Sequence, residues 1–319
     1  VKAFHMSAGA EELAVSAVLL GTIIGGAIGG KLADLAGRKV ALMILAVLFA
    51  VGAILTGISP GYWFFFGFRV LVGVAIGAAS VATPMFIAEM SPPSIRGALV
   101  FLDQLAITVG IAVAYWVDLG FATSGLGWRW MFAIALVPAA ILFIGMLFLS
   151  DTPRWYTSRG RWDGADKQLQ RFVPNERSRN EELAGIRQSL EEEKHSSIRE
   201  LFRPGLRWAL VAGVGLAVLQ QFVGINTIIY YAPTIFGYAG YTPASGAILA
   251  TGIVGVVNVV STIVSIFLVD RIGRKLLLYI GTVGMMLTLA GMGIVFYVGA
   301  NHLGTFVLGG LSEHLSANS

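Results

Sequence analysis

The sequence contains no cysteine. Disulfides and thiolate metal centres are therefore excluded, and the redox compartment leaves no mark on the chain. Charge is scarce as well, at 13% of residues against roughly 25% in an ordinary soluble domain. The four histidines, His5, His195, His302 and His314, are scattered. Without cysteine or a metal-spaced cluster, little is left for catalysis, so no enzyme, metal site or cofactor is expected. A secretory signal is also missing: Val1–Leu13 holds Lys2, Glu11 and Glu12 and no cleavage site. A start at Val1 suggests a piece of a longer chain. The glycine-rich "GTIIGGAIGG" lacks the preceding strand and the Walker lysine of a phosphate loop.

What is present is apolar surface. Hydrophobic residues make up 56% of the chain and the mean hydropathy is +0.78. Eight runs are long enough to cross a bilayer core, which takes about 20 helical residues. They are Leu13–Leu32, Val40–Ile58, Trp63–Ala88, Leu99–Leu119, Trp130–Leu149, Trp208–Tyr231, Ala244–Val269 and Leu276–Val298. The expected class is an all-α, polytopic membrane protein, with the lipid bilayer as its main surroundings. Gly21, Gly25 and Gly29 recur one helical turn apart, as do Gly26 and Gly30, a spacing that lets helix backbones approach closely in lipid.

The formal charge of +4 does not point to nucleic acid, because of where the charges sit. Lys and Arg concentrate in alternate connections: Arg38 and Lys39, Arg96, twelve residues between Arg154 and Arg207, and Arg271, Arg274 and Lys275. The positive-inside rule makes these connections cytoplasmic and puts both chain ends outside. Asp151–Arg207 is the one long polar segment; its stretch "EELAGIRQSLEEEK" reads as an exposed amphipathic helix. "SIRE", Ser197 to Glu200, has capping-box spacing. This linker divides the chain into 1–149, 150–207 and 208–319. Each flanking part carries one D-x-x-G-R-K pattern, "DLAGRK" (Asp34–Lys39) and "DRIGRK" (Asp270–Lys275). Two such patterns in equivalent places suggest two related halves. In each, the glycine allows a tight turn and the Asp can cap the next helix or pair with a nearby base.

Polar groups inside spans are costly and hence informative. By helical rise, Gln104 lies roughly 12 Å from the basic end of its span, Gln220 and Gln221 roughly 18–20 Å, and Asn258 roughly 17 Å. Four amides on three spans thus fall near mid-depth. Amides donate and accept without charge, which suits a ligand rich in hydroxyls; singly, each could instead be interhelical glue. In "QQFVGINTIIYYAP", Gly224 and Pro233 interrupt an apolar helix beside Asn226, as in helices that line a cavity. Tyr230 and Tyr231 at its outer end could close that cavity or anchor at the interface. Arg69 is the one basic residue well inside a span; it either snorkels outward or needs a carboxylate, and Asp118 is within reach while Asp103 lies on the inner side. At the basic face Glu89, Arg96, Arg38 and Asp34 could form a water-exposed salt-bridge cluster, weak enough to serve as a latch.

These motifs together resemble the sugar porters of the major facilitator superfamily. The match runs from "GGKLADLAGRK" through "RVLVGVAIGAASVATPMFIAEMSPPSIRG", "RGALVFLDQLAITVG", "DTPRWYTSRGR" and "QQFVGINTIIYYAP" to "VDRIGRK". The resemblance implies a two-bundle transporter of twelve helices, of which about eight are present, the first and the last three being absent. It implies alternating access around a central monosaccharide site, no cofactor, and a monomer in the plasma membrane with Asp151–Arg207 cytoplasmic. Gln104, Gln220, Gln221, Asn226 and Asn258 would be its sugar-binding amides. Asp34, Arg38, Glu89, Arg96, Asp270 and Arg274 would be its cytoplasmic gate charges. Arg69 would be the arginine that serves proton coupling in symporting members. Asp151 and Thr152 stand where the family usually has Glu and Ser, and "NHLGTFVLGGLSEHLSANS" does not read as a tenth span. Sugar:proton symport is the leading expectation; facilitated diffusion of a sugar or a polyol such as inositol, or a transporter-like sugar sensor, are the alternatives.

Overall fold

The fold is that of a computed structural model, which describes residues 8–300 apart from 93–94, 125–126, 172, 174, 196–204 and 239–243. The capping box expected at Ser197–Glu200 and the segment 301–319 lie outside the described residues. Among the described residues the regular structure is entirely helical. The helices are α1 (Ala8–Ala36), α2 (Arg38–Gly57), α3 (Tyr62–Met90), α4 (Arg96–Ser124), α5 (Trp128–Ala133), α6 (Leu136–Phe148), α7 (Pro153–Ser158), α8 (Trp162–Leu169), α9 (Glu176–His195), α10 (Arg207–Phe222), α11 (Ile225–Tyr238), α12 (Ala244–Ile272) and α13 (Arg274–Ala300). Among the described residues eight helical stretches are long and apolar enough to cross a membrane, and they overlie the eight apolar runs.

Helix is the only way a run like these can satisfy its backbone in lipid without closing a barrel. Large apolar side chains accordingly stay uncovered along the outer faces, with Phe148, Phe222 and Phe267 among the most exposed. Interruptions fall where the sequence withholds a donor or permits a turn. Pro138 has no N–H to give Ile134, and the fifth span is split there into α5 and α6. Gly224, at φ 80°, separates α10 from α11.

Packing begins with α1 and α3, the most extensive helix pair. The small-residue stripe makes it possible. A Cβ on Gly21, Gly25 or Gly29 would run into the backbone of Val70, Val74 or Ala78 on α3. Reciprocally, one on Gly73 or Gly77 would strike the backbone of Val18 or Thr22 on α1. Among the described residues Gly26 stands in open space and Gly30 only brushes a Val81 methyl, so there the first of the two expected stripes makes the contact. At one end of this pair Ala33, Ala41, Leu42, Leu45, Ala78, Ala82, Phe86 and Met146 close a dry core from α1, α2, α3 and α6. Gly25→Val should lower the yield of monodisperse full-length protein severalfold against wild type in size-exclusion chromatography. The obstacle at Gly25 is rigid backbone, so the cost exceeds the usual 1–3 kcal/mol (about) of overpacking. Equal yields would refute this role for the stripe.

The two D-x-x-G-R-K patterns form one kind of turn. Gly37 (φ 95°) joins α1 to α2 and Gly273 (φ 87°) joins α12 to α13. Each glycine donates four residues back, to Ala33 or Val269, and accepts from four residues on, Ala41 or Leu277. The described residues up to Thr262 pack as one unit and those from Ile263 as another.

Candidate functional site

The break at Gly224 assembles the first polar cluster. Gln220 and Gln221 end α10, and Asn226 opens α11. Gln221 Nε2 donates to Gln220 Oε1 at 3.1 Å, and Asn226 Nδ2 donates to Gln221 Oε1 at 2.9 Å. The result is a short amide chain with Gln221 at its centre. Both glutamines remain exposed, so each keeps donors and acceptors free for a ligand.

Gln104 lies on α4 and Asn258 on α12; among the described residues neither side chain bonds to that chain. Their helices nevertheless meet, and α4 also meets α11. Tyr115 Oη of α4 donates to the Ile229 carbonyl of α11 at 2.8 Å. The Tyr115 ring also packs on Gly255 of α12, where an added Cβ would overlap it, and Trp116 covers Gly252. Gln104 precedes Tyr115 by eleven residues, three turns with about 20° of drift, so both occupy one face of α4. Asn258 follows Gly255 by less than one turn. Gln104 and Asn258 therefore lie on the helices that meet at Tyr115, displaced from it toward the basic ends of their spans.

Arg69 does not pair with Asp118 or any other carboxylate among the described residues. Its guanidinium lies 5.7 Å from the ring centres of both Phe65 and Phe132, and its buried Nε has no hydrogen-bond partner. Tyr230, half-way up α11, is within electrostatic range of Arg69 and of Tyr115. Tyr231, the neighbouring position, is half-buried. Asp103 opens into a different space, a cleft of about 360 Å³ between α2, α3, α4 and α6.

The Arg38–Glu89 pair at the basic end is largely shielded, unlike the water-exposed latch expected, while Asp34 and Arg96 stay exposed. Arg38 is the hub. Its Nη2 donates to Glu89 Oε1 at 3.0 Å, and its Nε sits 3.0 Å from Oε2, close enough to pair but misaligned as a hydrogen bond. Nη2 also pairs with Asp34 at 3.0 Å, and Nη1 donates to the Ala33 carbonyl at 3.3 Å. The Arg38 and Glu89 side chains are 6% and 13% exposed, because α7 covers them. Thr152 Oγ1 donates to Glu89 Oε2 at 2.6 Å, and Arg154 approaches Oε1 at 3.9 Å while holding Glu193 of α9 at 2.5 Å. Arg96 reaches the Ser91 carbonyl at 3.3 Å and not Glu89. Asp34 pairs with Arg38 and caps nothing; the N-terminus of α2 is capped from afar, by Asp151 Oδ1 accepting from the Arg38 N–H at 3.0 Å. Gly37 is needed twice, for its positive φ and because a Cβ would collide with the Asp151 carboxylate. The side chains of Asp270 and Arg274 lie outside the described residues.

Sequence reasoning passed over Thr152, Arg154 and Glu193 as members of this cluster and Tyr115 as a contact between helices. The TPRW start of α7 carried a signal: Thr152 is its N-cap, accepting from Trp155 N, with Pro153 in the first turn. Pro233 carried another, since it marks Ile229 as a carbonyl without a helix donor. Nothing in the sequence named Tyr115 as the donor.

Paired helices that meet around a glycine-broken span, with amides at depth and a charged turn at the basic end, define a multi-pass membrane protein of the major facilitator type. The chain belongs to the sugar (and other) transporter family, whose model matches residues 4–310; the family is one of transporters, not enzymes. It is 39% identical over 292 residues to the galactose-proton symporter of Escherichia coli (strain K12), covering 92% of this chain and 62% of that protein. It is 38% identical over 301 residues to the arabinose-proton symporter of Bacillus subtilis (strain 168), covering 92% and 64%. The chain thus spans just under two thirds of the length of these relatives. The partially occluded, inward-open structure of the xylose transporter XylE from E. coli is similar with a TM-score of 0.79 at 32% identity, over 93% of this chain and 72% of that one.

Proposed function

We propose that the protein carries a monosaccharide across the plasma membrane by alternating access, coupled to protons. The observation that carries this reading is the amide chain Gln220–Gln221–Asn226 folded around the Gly224 break. Uncharged donors and acceptors at mid-span offset the desolvation of a hydroxyl-rich solute without trapping it. Gln104 and Asn258 complete the pocket from α4 and α12, and Tyr230 and Tyr231 close it on the outer side. Asp34, Arg38, Glu89 and Arg96 hold the cytoplasmic ends of the first half, 1–149. Asp270 and Arg274 do so for the second half, 208–319, across the cytoplasmic linker 150–207. The working unit is a monomer in lipid. Relatives named as galactose-, arabinose- and xylose-transporting proteins support a hexose or pentose as substrate, and the two proton symporters among them support proton coupling.

Arg69 is the residue that couples the proton, its charge held against two phenyl rings until a carboxylate engages it. Uptake of radiolabelled galactose or xylose into proteoliposomes containing the full-length protein should rise when an inward proton gradient is imposed. Indifference to the gradient would overturn symport. It would favour facilitated diffusion of a sugar or an inositol-like polyol.

A further inference from the structure

We propose that Tyr115 is a positioning residue that tethers the broken helix shut over the pocket, using a backbone carbonyl that Pro233 leaves open. This rests on the alternating-access reading above.

Pro233 lies inside α11, and a proline has no N–H for the carbonyl four residues back. That carbonyl is Ile229. In a span, an unsatisfied carbonyl is costly and attracts a donor from elsewhere. The donor here is the Tyr115 hydroxyl of α4, at 2.8 Å, from 114 residues away in the chain. The hydroxyl is held in place by its ring, which rests on Gly255 of α12, where any Cβ would overlap it. Glycine at that position lets α12 press the ring toward α11. One side chain of the first half thus bridges two helices of the second.

Position gives the contact its meaning. Gln104 lies three turns along the same face of α4, and Thr108, one turn from Gln104, is 4% exposed. The tether therefore sits between the amide pocket and the outer end, where it seals the pocket. Opening to the outside separates α4 from α11 and must break the bond, after which the Ile229 carbonyl is satisfied by entering water. A proline in α11 makes this reversible: a normal helix carbonyl would already be occupied and could offer only its weaker second lone pair. The Tyr115–Ile229 bond favours the outward-closed state by the net worth of one neutral hydrogen bond.

The test uses the full-length protein with any cysteine outside this stretch removed, and a single reporter, Thr108→Cys, at the buried position beneath the tether. Its reaction with a membrane-impermeant maleimide added from outside reads outward opening. Tyr115→Phe keeps the ring and removes the hydroxyl. It should raise the labelling rate about three- to tenfold, the factor expected for one neutral bond, while lowering the melting temperature by no more than about 2–4 °C. Pro233→Ala restores an N–H to the Ile229 carbonyl and should raise the rate similarly. The double variant should show no further rise, because both changes remove one interaction. An unchanged rate in Tyr115→Phe, or effects of the two variants that multiply, would overturn the tether. Labelling needs no sugar. A protein that failed the uptake assay yet showed the non-additive pair would keep the tether and lose the sugar reading.

Discussion

Glu89→Ala should strip the full-length protein of most of its uptake and lower its thermal stability, the largest loss expected from any single change at the basic end. Glu89 receives Arg38 through two nitrogens, the Thr152 hydroxyl, and Arg154 at longer range. With side chains 6% and 13% exposed, the Arg38–Glu89 pair belongs with buried ion pairs, not the surface pairs worth about 0–1 kcal/mol. Removing one partner of a buried pair costs about 3–5 kcal/mol because the other charge is left uncompensated. Here the low end applies, since Asp34 still faces Arg38 and is itself 63% exposed. If the cluster opens whenever the cytoplasmic side opens, about 3 kcal/mol corresponds to a change of roughly 100-fold in the ratio of the two states. Glu89→Gln should be milder, because an amide oxygen still accepts from Thr152 and Arg38. A Glu89→Ala protein that melts like wild type and transports normally would show that the cluster does not hold the inner ends together.

Gln221→Ala should weaken binding of a transported sugar roughly 30- to 150-fold while leaving folding intact. Gln221 is the middle of the amide chain, donating to Gln220 and accepting from Asn226. Its loss removes the bonds it gives the ligand and frees two neighbours to turn away. Two neutral hydrogen bonds and the unsatisfied groups they leave behind amount to about 2–3 kcal/mol, which is that range of affinity. The exposed side chain contributes nothing to helix packing, so expression and melting should match wild type. Equilibrium binding of galactose or xylose to purified full-length protein measures the effect, and undiminished affinity would remove the amides from the sugar site.

These two sites differ in how far the sequence foretold them. The amides were legible because a polar residue in a span is expensive, and helical rise alone gives its depth. Their hydrogen-bonded order was not legible: it depends on how Gly224 turns α11 against α10. The charges at the basic end were legible as a group, since D-x-x-G-R-K, Glu89 and Arg96 all flank spans. The exposure of Arg38 and Glu89 was misjudged, because the sequence does not say that the start of α7 folds over them; Asp34 and Arg96 stay exposed. Arg96 was expected at Glu89 and instead reaches the Ser91 carbonyl, while Arg154, from the polar linker, takes part in its place. Of the glycine stripes, periodicity proposed two and packing among the described residues uses one, a choice made by the facing helix and not by α1.

Eight spans, their helical state, the turns at Gly37 and Gly273 and the break at Gly224 are determined by the sequence by itself. Each follows from a local cause: a long apolar run must satisfy its own backbone in lipid, and glycine and proline relax or deny that bonding within a few residues. The tertiary structure alone decided that Glu89 is part-buried under Thr152, that Asp151 caps α2, and that Tyr115 donates to Ile229. Those outcomes join side chains to groups 113, 63 and 114 residues distant in the chain. At such separations partner choice depends on which helix faces pack together, and that is a property of the assembled bundle.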